Sequence, residues 1–387
     1  MAHYDLHKLL AFTVKQKASD LILKAGSPPI LRINGDLVRM KSEPLEAEDT
    51  REISYQILTE DQQRRFEDQL ELDLGYQIEG LARFRINLMV QRGRVTTTAR
   101  VIPFEIKRME ELGVPETVRR MCDYPRGLVL VTGPTGSGKS TTQAAMIDYV
   151  NETRPVHIVT VEDPIEFVHE DKMALINQRE LGEDTLSFAD ALKYVLRQDP
   201  DVILIGEMRD LETIGLAITA AETGHLVFGT LHTVDAVQTV DRVIDVFPPH
   251  QQQQVRMQLS VNLVGVVSQT LVKTADLQGR VAAFEVMEAI PAIRNLIREA
   301  KTHQVRSVIQ TGSKRGMMVL DQHLAQLVVD GVADYFSARE KAVNIEEFDD
   351  MVRAKKPELV EGAAEEAARR AAAKEDEEAS ETPAAGS

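Results

Sequence analysis

Residues Gly133-Pro134-Thr135-Gly136-Ser137-Gly138-Lys139-Ser140 follow the spacing G-x-x-x-x-G-K-[S/T] in full. That spacing builds a cradle for phosphate. The glycines let successive backbone N–H groups turn toward one anion, and a helix N-terminus behind them adds a favourable dipole. Lys139 would reach the β- and γ-phosphates, the Ser140 hydroxyl would hold Mg²⁺, and Thr141 continues the set into the following helix. The flanks agree. Residues 128–131 are a continuous apolar run that reads as a buried strand, and residues 141–150 have helical spacing. Strand, glycine-rich loop and helix in that order separate a phosphate-binding loop from a glycine turn met by chance. ATP with Mg²⁺ is the ligand this pattern predicts.

Other residues of catalytic type stand at strand ends. Val202-Ile203-Leu204-Ile205 runs into Gly206 and Glu207, which sets a carboxylate at the sheet edge. A strand-ending glutamate is often only a solvated cap. Downstream of a phosphate loop it has the placement of a Walker B acid, orienting Mg²⁺ or the attacking water. Glu162-Asp163-Pro164-Ile165-Glu166 puts three acids just past another apolar strand. Three such charges repel unless a cation sits among them; the bland alternative is a solvated acidic turn. His225 and His232 flank the apolar residues 226–230. Each is a structural residue by default. His232 follows the carboxyl end of that strand, where open α/β sheets bind ligands, so it is the better sensor of bound phosphate. Arg83 and Arg85 are two apart on a strand-like segment and share a face, and Arg100 closes the next strand. They make either an exposed basic face or an arginine finger.

These groups need elements to hold them. Residues 1–105 read as a small α+β domain with no nucleotide motif. Asn34-Gly35 between two apolar runs is a hairpin signal, residues 48–70 look like one polar amphipathic helix, and residues 72–102 are strand-rich with breaks at Gly75, Gly80 and Gly93. Pro103, Gly113 and Pro115 mark a linker. From 110 to 355 strands and helices alternate. Ser187, with Asp190 three residues on, starts a helix that must stop before Pro200. The strands are uninterrupted apolar runs, as buried parallel strands are. The expected core is therefore a parallel sheet wrapped by helices, with the ligand at the carboxyl ends of the strands. Residues 356–387 form an acidic, Ala/Glu-rich tail. From Glu361 onward it has ten Ala and eight acids against three bases, with no Leu, Ile, Val or Phe, a composition expected to stay disordered.

Composition narrows the class. A chain of 387 residues with 43% hydrophobic content supports two domains. The single cysteine, Cys122, excludes an internal disulfide and any multi-cysteine zinc site. A net charge of −16, 5% aromatics and no Trp count against nucleic acid as a partner. The charged residues His3, Asp5, His7 and Lys8 give no secretory signal, and no apolar run spans a bilayer, so a cytoplasmic protein is expected.

The motifs together carry a family resemblance. The segment 127–132 leading into the loop, with Glu162-Asp163-Pro164-Ile165-Glu166-Phe167-Val168-His169, resembles the ATPases of type II secretion and type IV pili. Leu196-Arg197-Gln198-Asp199-Pro200-Asp201 through Gly206-Glu207-Met208-Arg209-Asp210 looks like their Walker B segment, and Gly224-His225 through Leu231-His232-Thr233 looks like their His box. Ala292-Ile293-Arg294-Asn295-Leu296-Ile297-Arg298-Glu299 is similar to the signature of the PilT branch, the retraction motors. Met89-Val90-Gln91-Arg92-Gly93-Arg94 and the extended carboxyl end are nearer the paralogue PilU. The resemblance implies a PAS-like domain followed by a RecA-like ATPase domain, assembled as a homohexamer. It implies catalytic roles for Glu166, Glu207, His225 and His232, and nucleotide contacts from Arg83, Arg85 and Arg100. It further implies an inner-membrane pilus platform protein as partner, peripheral docking on the inner face of the membrane, and either a main retraction motor or an accessory ring working with a paralogous ATPase. In the signature octet Ile293, Leu296 and Ile297 form one apolar helix stripe. Arg294, Arg298 and Glu299 lie on the other faces; the bland reading is a packed surface helix, and the resemblance implies contact with a partner or a neighbouring subunit.

Overall fold

The computed structural model describes residues 4–33, 36–102 and 106–362. The Asn34-Gly35 turn, Pro103 and the tail beyond Gly362 lie outside the described residues. The chain forms two compact units. One comprises the residues up to Ile106 together with Glu162–Glu170 and Gln178–Asp184; the other takes the remainder from Lys107 onward.

The first unit is built on six antiparallel strands: β1 (Asp20–Lys24), β2 (Ile30–Ile33), β3 (Asp36–Arg39), β4 (Glu71–Ile78), β5 (Ala82–Gln91) and β6 (Arg94–Ile102). They lie in the order β3-β2-β1-β6-β5-β4. β2 and β3 pair directly, Ile33 opposite Asp36, as the hairpin signal requires. Strand alternation does the rest. Ala82, Phe84, Ile86 and Leu88 are buried against the helices Leu6–Lys15, Ala47–Tyr55 and Glu60–Gln69. Arg83, Arg85 and Asn87 therefore project from the other face.

Two local expectations change here. The single helix expected over 48–70 is two helices. Thr59 and Gln62 form a capping box that starts the second: the Gln62 N–H donates to the Thr59 hydroxyl at 3.3 Å, and the Thr59 N–H donates to Gln62 Oε1 at 3.1 Å. Gly75 does not break a strand. β4 runs through it, with Gly75 opposite Arg85. A side chain at that position would collide with the Arg83 guanidinium.

The second unit holds a seven-stranded sheet made of β7 (Gly127–Thr132), β8 (His157–Glu162), β9 (Leu175–Glu180), β10 (Val202–Ile205), β11 (Leu226–Leu231), β12 (Leu263–Lys273) and β13 (Arg280–Glu288). Their order is β13-β12-β7-β11-β10-β8-β9. The pairs β12–β7, β7–β11, β11–β10 and β10–β8 are parallel. β13 is antiparallel to β12, so the sheet is mixed rather than wholly parallel. The reason is local: only a short turn joins β12 to β13, and a tight turn reverses the chain, whereas a parallel return needs a crossover. Every residue of β7 and β11 is buried. Leu128 and Leu130 face one apolar cluster, while Val129 and Val131 face another. This two-sided burial explains the uninterrupted apolar runs. Because β7, β10 and β11 are parallel neighbours, their carboxyl ends lie along one edge. A smaller helical cluster, around Leu324, Phe348 and Val352, packs beside β12 and β13.

Candidate active site

The phosphate-binding loop leaves the carboxyl end of β7 and enters the helix Lys139–Thr153. Gly133 has to be glycine, since a side chain there would run into the Gln269 carbonyl and the Ser137 hydroxyl. The loop bonds to itself. The Ser137 N–H donates to the Pro134 carbonyl at 3.2 Å. Lys139 Nζ donates to the carbonyls of Gly133 at 2.8 Å and Pro134 at 3.1 Å. The lysine therefore already lies folded along the loop, where a phosphate chain would take over its donors.

Glu207 follows β10 by two residues, and its position is set by neighbours. The Thr230 hydroxyl donates to the Gly206 carbonyl, and the Met208 N–H donates to the Thr230 carbonyl at 3.0 Å. The carboxylate is mostly buried. It meets Arg209 Nε at 2.5 Å and His232 Nε2 at 2.9 Å through Oε1, and Arg209 Nη2 at 2.7 Å through Oε2. The Arg209 hydrogen bond lowers its pKa below the usual value; partial burial opposes this, while the Arg209 and His232 charges assist. Glu207 is thus held ionised between a histidine and an arginine at the edge where the phosphate loop begins. A fixed carboxylate there can orient water or accept its proton.

The structure separates the two histidines by the length of β11. His232 contacts Glu207 at the carboxyl end. His225 stands at the amino end, where the Gly127 N–H donates to its carbonyl and its Nδ1 bonds the Ala220 carbonyl at 2.9 Å. It is not brought to the phosphate loop of its own chain. Flanking one six-residue strand forces that outcome.

Glu166, Arg83, Arg85 and Arg100 fall in the first unit. Glu166 lies in the irregular segment after β8, half-buried. That segment is tethered by Glu180, whose carboxylate pairs with Arg83 and accepts the Ile165 N–H at 3.2 Å. Arg83 is accordingly engaged and largely buried, not a free finger. Arg100 Nε donates to the buried Asp20 at 2.8 Å. Of the three arginines, Arg85 alone has no carboxylate partner among the described residues.

Arg294 in the signature octet is also engaged, contrary to expectation. It donates to three backbone carbonyls: Ala289 at 2.6 Å, Val261 at 2.8 Å and Leu263 at 3.2 Å. These include the exposed carbonyl end of the helix Pro249–Asn262, which lacks intrahelical donors. Arg298 stays exposed on the same helix, Pro291–Arg298. Sequence reasoning also missed Arg209 as a partner of Glu207, although it lies only two residues away. A third omission is a run of hydroxyls, half-buried Thr233 and buried Thr239, Thr132 and Ser268, which links the His232 loop to the end of β7 through contacts of 2.7, 3.5 and 2.8 Å.

With this geometry in place, the comparisons are specific. The family model described as type II/IV secretion system protein matches residues 8–372. The type IV pilus retraction ATPase PilT of Pseudomonas aeruginosa is 55% identical over 344 residues, covering 89% of this chain and 100% of that protein. The type IV pilus ATPase PilU of the same organism is 41% identical over 334 residues, covering 86% and 87%. The crystal structure of the pilus retraction motor PilT with bound ADP superposes with a TM-score of 0.84 at 46% identity, covering 89% of this chain and 98% of that one. The chain therefore belongs to the type II/IV secretion system protein family, as a P-loop ATPase of PilT type.

Proposed function

We propose that this ATPase is a motor that powers type IV pilus retraction. It would work as a ring of identical subunits docked at the cytoplasmic face of the inner membrane and acting on the pilus platform protein. The carrying observation is the combination of an intact phosphate loop and a fixed Glu207–His232 pair with 55% identity over the full length of a retraction ATPase. The lower identity to PilU, 41%, makes the accessory-ring reading second. No described helix is long and apolar enough to cross a membrane, which suits peripheral docking.

The nucleotide would lie with its phosphates in residues 133–141. An open cleft of about 1020 Å³ beside Gly138, Thr141 and Thr142, with Leu271 and Leu277 in its wall, has room for the nucleoside. Mg²⁺ fits the residues present. No group of three or more His, Cys, Asp or Glu side chains is poised to hold a metal ion among the described residues. An ion here would rely on phosphate oxygens, the Ser140 hydroxyl and Glu207, as Mg²⁺ sites with few protein ligands do. Bound there, it would neutralise charge building on the phosphates. Lys139 would supply a second positive charge. Glu207 and Glu166 are the acids proposed to orient the attacking water, with His232 steadying Glu207. Arg85 is the arginine left available to contact nucleotide, since Arg83 and Arg100 already have carboxylate partners; His225 would act only on a different subunit's site.

The test is a deletion strain scored for surface pili. Excess pili that do not retract are expected. Bald cells would indicate an assembly role, and unchanged piliation with normal retraction an accessory one.

A further inference from the structure

Gln269 stands on β12 one residue beyond Ser268, which pairs with Thr132 at the end of β7. Its side chain is buried, and Nε2 donates to the Ser137 carbonyl at 2.7 Å. Chemistry fixes the direction of that amide. The Ser137 carbonyl can only accept, so the NH₂ end must face it. The same carbonyl shares a peptide unit with the Gly138 N–H, and in a trans peptide the two point in opposite directions. Drawing the carbonyl toward β12 therefore turns the Gly138 N–H away from β12. That N–H has no partner among the described residues. Gln269 acts on the loop a second time through its backbone, because its own carbonyl fills the space a side chain at Gly133 would need. Two more buried polar atoms at this corner, Ser137 Oγ and Gln269 Oε1, find no partner among the described residues. Buried polar atoms are rarely left bare without a use.

We propose that Gln269 is a positioning residue for the phosphate-binding loop: by fixing the Ser137–Gly138 peptide it presents the Gly138 N–H to the β-phosphate of bound nucleotide. This rests on residues 133–141 being the nucleotide loop. Gln269 also borders the cleft assigned to the nucleoside, and its proposed action runs through the loop peptide. Its effect falls on an N–H that meets the β-phosphate of ATP and of ADP alike, so its loss appears first in the affinity for both. Charge that builds on the β-phosphate as the β–γ bond breaks would add a smaller loss in kcat.

The experiment uses the full chain with Gln269→Met, which keeps the length but has no donor, and Gln269→Glu, which donates only when protonated. Steady-state ATP hydrolysis and ADP and AMP binding are measured alongside melting temperature. Gln269→Met should raise KM for ATP and Kd for ADP about tenfold, the scale of one lost hydrogen bond. Its kcat should stay within about threefold of wild type, and AMP binding should be unchanged, since AMP has no β-phosphate. Gln269→Glu should bind ADP weakly at pH 8 and regain affinity relative to wild type as the pH falls, because burial raises a carboxyl pKa and the protonated form donates. A folded Gln269→Met with wild-type KM and ADP affinity overturns the proposal. So does a loss confined to melting temperature, or failure of both variants to fold, which would make Gln269 a packing residue. Absence of ADP binding by the wild-type chain would instead sink the nucleotide reading beneath it.

Discussion

Glu207 shows how much of the chemistry a single side chain carries. Arg209 and His232 hold it oriented, and the Arg209 hydrogen bond is the main cause of its lowered pKa. Glu207→Gln should keep ATP binding while cutting turnover about 10²-fold or more, the scale of losing one acid–base or electrostatic group. Nucleotide-binding and single-turnover assays check this, and lost ATP affinity would mean the role is structural or metal-binding. Lys139→Ala should abolish hydrolysis, because it removes the cation that meets the β- and γ-phosphates. The two arginines of the octet should now behave differently. Arg294→Ala leaves three carbonyls without their donor and should cost about 1–3 kcal/mol of stability. Arg298→Ala should leave melting temperature and basal ATPase unchanged yet weaken retraction, since exposed substitutions cost little. Thermal melts of both variants separate the clamp from the surface contact. The phosphate loop was legible because backbone approach to phosphate demands those residue types at a fixed spacing. The engagement of Arg294 was not, because carbonyls that close up only in the fold leave no trace in side-chain identity.

Elements were legible where periodicity is strong and partners are local. The apolar runs of β7, β10 and β11 announced strands buried on both faces, and the Ser187 cap announced its helix. The break between residues 55 and 60 was also present in the sequence, as Thr59 and Gln62, but was read through as a continuous polar helix. Long-range ties were invisible. Glu180 is 97 residues from Arg83, and nothing near either one signals the other. That ion pair is buried, so Glu180→Ala should destabilise the first unit by roughly 3–5 kcal/mol through the stranded arginine. Gly75→Ala should disturb the same pair by displacing the guanidinium. A buried acid on β13 supplies a pH test. Burial raises the Glu285 pKa above its ordinary 4.5, helped by Asp235 and opposed by the N–H groups of Ala236 and Leu320 and by Arg306. A raised carboxyl binds its proton more tightly when folded, so its contribution to stability is full below 4.5 and is lost as the pH rises through the raised value. The melting temperature of wild type should therefore fall relative to Glu285→Gln as the pH rises above 4.5. A difference independent of pH would show the carboxyl to be unshifted.

At the scale of the molecule, the sequence carried the division into an α+β part and a larger α/β part. It did not show that Glu162–Glu170 and Gln178–Asp184, which lie deep in the second part of the chain, pack with the first unit. That regrouping depends on tertiary ties such as Arg83–Glu180, which periodicity cannot report. It groups Glu166 with the residues of the first unit. Residues 363–387 lack core-forming side chains, so their deletion should leave ATPase activity and melting temperature unchanged. The central claim is that ATP turnover at this site drives pilus retraction. The direct measurement is the retraction of fluorescently labelled pili on living cells of the deletion strain, complemented with wild type or with Glu207→Gln at equal protein levels. Wild type should restore retraction and Glu207→Gln should leave pili extended. Retraction that persists in the deletion strain, or that Glu207→Gln restores as well as wild type, would contradict the account.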